Sequence, residues 1–104
     1  MVKRAALTAQ VVLSVSSLVQ RAGFAASERT TALVTIAEAN ARCLLETKQM
    51  KAAKAQDIAT RFLISKGVSD ADRNEVKSAP GYDDLMYQYI NEQGGCEELV
   101  RQLR

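Results

Sequence analysis

The sequence predicts an all-α fold: a compact bundle of four or five short helices that follows an N-terminal leader helix and is held by one disulfide. Helices are indicated because apolar residues recur at the i, i+3, i+4 and i+7 spacing along residues 27–103. Serine, glycine and proline stand where these patterns begin and end, as helix caps and turns require. The disulfide is expected between Cys43 and Cys96, the only two cysteines of the chain.

Composition limits the protein to one ordinary globular domain without histidine chemistry. The 104 residues are 47% hydrophobic and 25% charged, which excludes the disordered and collagen-like classes. Aromatic residues make up 5% of the chain and Trp is absent, so the core must be aliphatic and thin. The sequence also lacks His, the residue most used for acid–base work near neutral pH and for binding transition metals.

The first 25 residues have the features of a signal peptide. Two basic residues precede an uncharged, largely apolar run over residues 5–19, and Gly23 and Ala25 supply the small residues expected before a cleavage site. The run is shorter than the ~20 residues that a helix needs to cross a bilayer. We therefore expect a cleaved leader at 1–25, no stable membrane span after its removal, and a periplasmic or secreted helical domain at 26–104. An organelle-targeting sequence, or a cytoplasmic protein that retains the N-terminal helix, is the alternative.

The basic excess of the chain belongs to this leader. The whole sequence carries a net charge of +2, yet residues 26–104 hold 11 basic and 12 acidic side chains. A nucleic-acid-binding surface needs clustered Lys and Arg on the folded part of a protein. The sequence therefore predicts no nucleic-acid partner.

The first half of the domain is expected to form two helices. Ser27 caps the first helix, and Gly67 ends the second, which begins near Lys51. The predicted inner stripe of the first helix consists of Leu33, Ile36, Ala37, Asn40, Cys43, Leu44 and Thr47. Its predicted solvent side holds Glu38, Arg42 and Glu46. The predicted inner stripe of the second helix consists of Ala52, Ala55, Ile58, Ala59, Phe62 and Leu63.

Three lysines near the junction of these two helices form a local basic run. They are Lys48, Lys51 and Lys54. We interpret the run as a solvated face beside a turn. A docking patch for an acidic partner is the alternative.

A short third helix is predicted over residues 70–78, capped by Ser69 and followed by a turn at Pro80-Gly81. The same stretch has the first ligand positions of a calcium-binding EF-hand loop. However, Glu75 stands where that loop needs Gly, and Gly81 stands where it needs a bidentate Glu. We therefore expect no calcium site.

Residues 82–103 hold the densest large apolar side chains, and the rest of the domain is expected to pack against them. Gly94-Gly95 ends one helix of this stretch, and Cys96 begins a second. Tyr82 and Tyr87 are expected to be partly exposed. The apolar side of the first of these helices consists of Leu85, Met86, Tyr89 and Ile90.

A disulfide between the two cysteines would join the two ends of the domain. Closing this loop of about 54 residues contributes roughly 4 kcal/mol in the chain-entropy model, a large share of the ~5–15 kcal/mol of a typical domain. Two alternatives remain open: a pair of inert reduced thiols, or a reactive thiol at Cys96 that a helix N-terminus activates. Neither a C-x-x-C spacing nor a partner His supports the reactive thiol.

The sequence contains no recognisable catalytic constellation. The acidic pairs Asp83-Asp84 and Glu97-Glu98 are adjacent on predicted helices, so the two side chains of each pair point in different directions. Both pairs fall in a first helical turn, where the helix dipole favours negative charge. We predict no catalytic residues, no cofactor and no metal site.

The order of the leader, the cysteines and the glycines carries one resemblance. Behind a leader, the chain has Cys43 within a helix and then Tyr89-Ile90 followed by Gly94-Gly95-Cys96. This layout resembles small exported two-cysteine helical proteins of marine cyanobacteria. The resemblance implies export and a disulfide, and it implies no activity.

The absence of a catalytic constellation makes a non-enzymatic protein-binding or structural module the first functional hypothesis, with another protein as the expected partner. Such a module should have an exposed apolar patch or groove. The alternatives are a thiol-based redox protein using Cys96 and a periplasmic acid-stress chaperone. Because His is absent, the chaperone would have to respond to acid through its carboxylates.

Overall fold

The computed structural model describes residues 26–104, which form five helices and no strand. The helices are α1 (Glu28–Glu46), α2 (Ala52–Ser65), α3 (Asp70–Ser78), α4 (Tyr82–Glu92) and α5 (Cys96–Leu103). The predicted all-α bundle is confirmed. The predicted signal peptide at 1–25 lies outside the described residues. Within the described part of the chain, no helix combines the length and the apolar character that a membrane span requires.

The central element is α1, which contacts each of the other four helices. Its buried side chains are small: Val34, Ala39 and Cys43 are fully buried. Small side chains allow neighbouring helices to approach closely from several directions. The domain is therefore organised around α1, whereas the sequence predicted that residues 82–103 hold this place.

The predicted inner stripe of α1 is confirmed in part. Ala37 and Cys43 are buried, and Leu33, Ile36 and Leu44 are partly buried and pack against the core. Asn40 and Thr47 are also partly buried. Glu38, which was expected on the solvent side, is 5% exposed. Apolar periodicity marks one side of a helix, but a central helix is covered from several sides. Glu38 can lie inside because Arg73 neutralises its charge.

Three further burial predictions are wrong. Ala52 and Ile58 are both exposed, Ile58 by 44%, because α2 buries only a narrow row that contains Ala55, Ala59 and Leu63. Tyr82 was expected to be partly exposed and is 6% exposed instead. Its hydroxyl lies in the core, 3.9 Å from the sulfur of Met86 in the next turn of α4.

The predicted helix starts are confirmed at atomic detail. The Ser27 hydroxyl accepts a hydrogen bond from the Thr30 amide at 3.1 Å, and the Ser69 hydroxyl accepts one from the Asp72 amide at the same distance. Each bond satisfies a backbone N–H that has no partner within its helix. The acidic pairs lie in the first turns of α4 and α5, as predicted.

Three helices end in the same hydrogen-bonded motif, in which one residue takes a left-handed conformation. After α2 and α4 this residue is Gly67 (φ +76°) and Gly94 (φ +94°). After α1 it is Lys48, with φ +59°. The motif at α1 is complete, since the Gln49 amide donates to the Leu44 carbonyl at 2.9 Å. The end of α1 therefore has a lysine at the position where the ends of α2 and α4 have glycine.

Candidate functional site

The two cysteines are joined. Their sulfur atoms are 2.07 Å apart and their Cα atoms 4.8 Å apart, which confirms the predicted pairing of Cys43 with Cys96. Cys43 lies on α1 and is fully buried, whereas Cys96 is the first residue of α5 and is partly buried. The bond therefore fastens α5 to the central helix and presents only one of its sulfurs toward the surface.

A carboxylate lies next to the more accessible sulfur. Glu46 Oε2 is 3.5 Å from Cys96 Sγ. A disulfide sulfur carries no proton, so this is a close contact and not a hydrogen bond. The other oxygen, Glu46 Oε1, accepts a hydrogen bond from Arg42 Nε at 3.1 Å, and this bond raises the pKa of Arg42. The Arg42 guanidinium also lies over the ring of Tyr87, 4.8 Å from its centre.

A second polar cluster joins α1, α2 and α3 inside the domain. Its centre is Glu38, whose carboxylate accepts hydrogen bonds from Arg73 Nε at 2.8 Å and from Gln56 Nε2 at 3.4 Å. Lys77 Nζ lies 3.7 Å from the same carboxylate. Arg73 is itself largely buried and also donates to the Thr60 hydroxyl at 2.7 Å. The charges are thus paired, and the donors of the guanidinium have acceptors, which buried ions require.

Sequence reasoning missed this cluster. The available signal was the setting of Glu38, a single carboxylate between alanines at positions 37, 39 and 41. Small residues on both sides of a charge indicate a closely packed helix, and a buried charge then requires a cation from another element. The identity of the cation that pairs with this carboxylate depends on how the helices pack against one another. The sequence alone does not show that packing.

A cleft of about 380 Å³ opens between α1, α2 and α4, and we call it the α1–α2–α4 cleft. Buried Ala41, Ala55 and Met86 lie along it, and exposed Leu45 and Ala52 lie at its edge. Its volume is in the range of binding sites in proteins. Leu45 is 45% exposed, although the chain has few large apolar residues available for its core.

Charged side chains also line this cleft, and one of them lacks an ion pair. The carboxylates of Glu38 and Glu46 both have cationic partners. Asp83 lines the cleft as well, is exposed, and has no ion pair within 4 Å among the described residues. The cleft therefore combines an apolar surface with one exposed carboxylate that makes no close ion pair.

Tyr82 also lines the cleft, and its hydroxyl is buried. Burial raises the pKa of Tyr82 well above its usual value, and the nearby carboxylate of Glu38 raises it further. The phenol is therefore neutral under ordinary conditions. Within the described part of the chain, its hydroxyl contacts the Met86 thioether, a weak acceptor.

A larger concavity, of about 720 Å³, runs along α4 and is a weaker candidate. It is lined by Asp84, Tyr87, Gln88, Asn91 and Glu92. Because a single helix supplies all of these residues, the surface is shallow and cannot enclose a ligand.

No family model, curated protein or solved structure matches this chain. A function must therefore be inferred from the residues of the chain itself. The resemblance to exported two-cysteine helical proteins stays a prediction. Among residues 26–104, no three Cys, Asp or Glu side chains are grouped closely enough to hold a metal ion.

Proposed function

We propose that the protein is a non-enzymatic protein-binding module and that the α1–α2–α4 cleft is its docking surface. The observation that supports this most directly is the exposure of Leu45 beside the apolar lining of the cleft. A partner side chain placed there would cover Leu45 and Ala52, the exposed apolar residues at the edge of the cleft. Burying apolar surface in a concave site is the main source of affinity in protein interfaces.

The charges of the cleft indicate the chemistry of the partner. The exposed carboxylate of Asp83 makes no ion pair within 4 Å among the described residues, so a Lys or Arg of the partner can pair with it, whereas Arg42 is bound to Glu46 and Lys77 shares the Glu38 carboxylate with Arg73. The occupant is therefore a protein segment that presents one apolar side chain and a neighbouring basic side chain. An acidic segment would place like charges together and bind more weakly.

A selection from a random peptide library tests this proposal. Peptides displayed on phage are selected on the immobilised domain, and those that also bind the variant Leu45→Asp are discarded. We expect the retained peptides to combine apolar and basic residues. Their dissociation constants should rise at least tenfold with Leu45→Asp and with Asp83→Lys, measured by fluorescence anisotropy of the synthetic peptides.

Two matched variants serve as controls. Ile58 has almost the same exposure as Leu45, 44% against 45%, but does not line the cleft. Asp84 is the exposed neighbour of Asp83 and lines only the shallow surface on α4. Ile58→Asp and Asp84→Lys should leave the affinity unchanged. Enrichment of acidic peptides, or equal losses in the control variants, would contradict the proposal.

We infer in addition that the protein works in an oxidising compartment, as the signal-peptide and disulfide predictions imply. The pairing of Cys43 with Cys96 at disulfide distance supports this inference. Intact mass of the protein from its native host, with and without reduction, provides the test. We expect loss of residues 1–25 and a gain of two hydrogens on reduction. A full-length, fully reduced product would contradict it.

The two alternative functions stay predictions. A redox function at Cys96 would require this sulfur to cycle between the disulfide and a thiolate. An acid-stress chaperone would expose apolar surface as its carboxylates become protonated.

A further inference from the structure

We propose that the Cys43–Cys96 disulfide is a thiol-exchange site with a charge preference: thiols attack it at Cys96 Sγ, and Glu46 makes cationic thiols react faster than anionic ones.

The position of attack follows from access to the two sulfurs. Exchange requires a thiolate to reach one sulfur of the bond directly. Cys43 is fully buried in the core beneath α5, whereas Cys96 is only partly buried at the start of that helix. The reagent therefore joins Cys96, and Cys43 is the leaving group.

The charge preference follows from the groups around Cys96 Sγ. Glu46 Oε2 lies 3.5 Å from this sulfur. Glu97 adds an exposed negative charge at the next position, while Glu98 is paired with Arg101 at 3.0 Å. Arg42 is bound to the other oxygen of Glu46 and offsets part of its charge, but the oxygen that lies beside Cys96 Sγ is the one that Arg42 does not bind. A second negative charge on the reagent is thus repelled there, and an ammonium group is attracted.

The reaction is an ordinary two-electron reduction by two thiols. The first thiolate bonds to Cys96 Sγ as the protein S–S bond breaks, and the electron pair leaves on Cys43 Sγ, which takes up a proton. A second thiolate then attacks the reagent's sulfur in this mixed disulfide. It releases the reagent's own disulfide and the Cys96 thiolate, which is protonated in turn. Both electrons come from the two reagent thiols.

The test compares cysteamine, which carries an ammonium group, with 3-mercaptopropionate, which carries a carboxylate. Second-order rate constants are measured on the folded protein at low salt and expressed per concentration of thiolate. We expect cysteamine to react faster, and the ratio of the two constants to fall about fivefold in Glu46→Gln. Glu97→Gln, which removes a charge one residue from Cys96, should change the ratio much less.

The site of the first adduct is determined by mass spectrometry after a brief reaction stopped with acid. Cysteamine should be found on Cys96. Three results would overturn the proposal: an adduct on Cys43, a ratio that Glu46→Gln leaves unchanged, or a rate that does not depend on thiol concentration. The last would mean that the domain opens before it reacts.

Discussion

At the scale of single residues, the ion pair between Glu38 and Arg73 is the main surprise of this domain. Both side chains are largely buried, and the carboxylate receives donors from two other helices. The free energy needed to remove two charges from water is about as large as the attraction between them. Such a pair therefore contributes little net stability compared with apolar residues of similar size. Removing only one partner is different, because the other charge is then left buried without compensation.

The variant Glu38→Ala measures this effect. We expect it to lower the free energy of unfolding by about 3 to 5 kcal/mol, because Arg73 loses its carboxylate while remaining inside the domain. Urea denaturation followed by circular dichroism gives the value. The matched control is Glu46→Ala, which removes an exposed pair with Arg42 and should cost less than about 1 kcal/mol. Equal losses in the two variants would contradict the account of a buried charge.

At the scale of the helices, the ends of α1, α2 and α4 differ in one residue. All three close with a left-handed residue, and only α1 uses a side chain there, at Lys48. A non-glycine residue in this conformation is strained by roughly 1 kcal/mol, since its Cβ crowds the backbone. The end of α1 is therefore less stable than the ends of the other two.

The substitution Lys48→Gly should raise the free energy of unfolding by about 0.5 to 1 kcal/mol, because glycine adopts this conformation without strain. Thermal or urea denaturation detects a change of this size. The same substitution at Lys54, an exposed residue in the first turn of α2, should lower the stability by up to about 1 kcal/mol. A loss of stability in Lys48→Gly would show that the side chain makes a contact that outweighs the strain.

The helices themselves were predictable, because their signals are local. Caps such as Ser27 and Ser69, and stops such as Gly67, depend on a few neighbouring residues and are visible in the sequence. The buried faces were less predictable. The burial of Glu38 depends on contacts of α1 with α2 and α3. The pattern of apolar residues within α1 does not reveal those contacts.

At the scale of the whole molecule, the same distinction applies to the two candidate sites. The disulfide could be predicted because the chain offers only one pair of cysteines. The α1–α2–α4 cleft could not, since its lining comes from separate helices whose packing is fixed by long-range contacts. Leu45 illustrates the difference: its sequence neighbours give no reason for a large apolar side chain to be left exposed.

The contribution of the disulfide is also a property of the whole molecule. The double variant Cys43→Ala/Cys96→Ala should lose about 4 kcal/mol of stability, because the unfolded chain is no longer constrained by the closed loop. Urea denaturation of this variant and of the reduced natural protein gives two independent values, which should agree. A loss below about 1 kcal/mol in both would mean that packing around α1 holds the domain without the bond.

The path of the covalent chain through this bond has a mechanical consequence. Tension applied to Ala26 and Arg104 passes from α1 directly into α5 across the two sulfurs and bypasses the residues between the two cysteines. Helices α2, α3 and α4 therefore carry no load while the bond is intact. A machine that threads the domain through a narrow pore would meet a closed ring of backbone instead of a single strand.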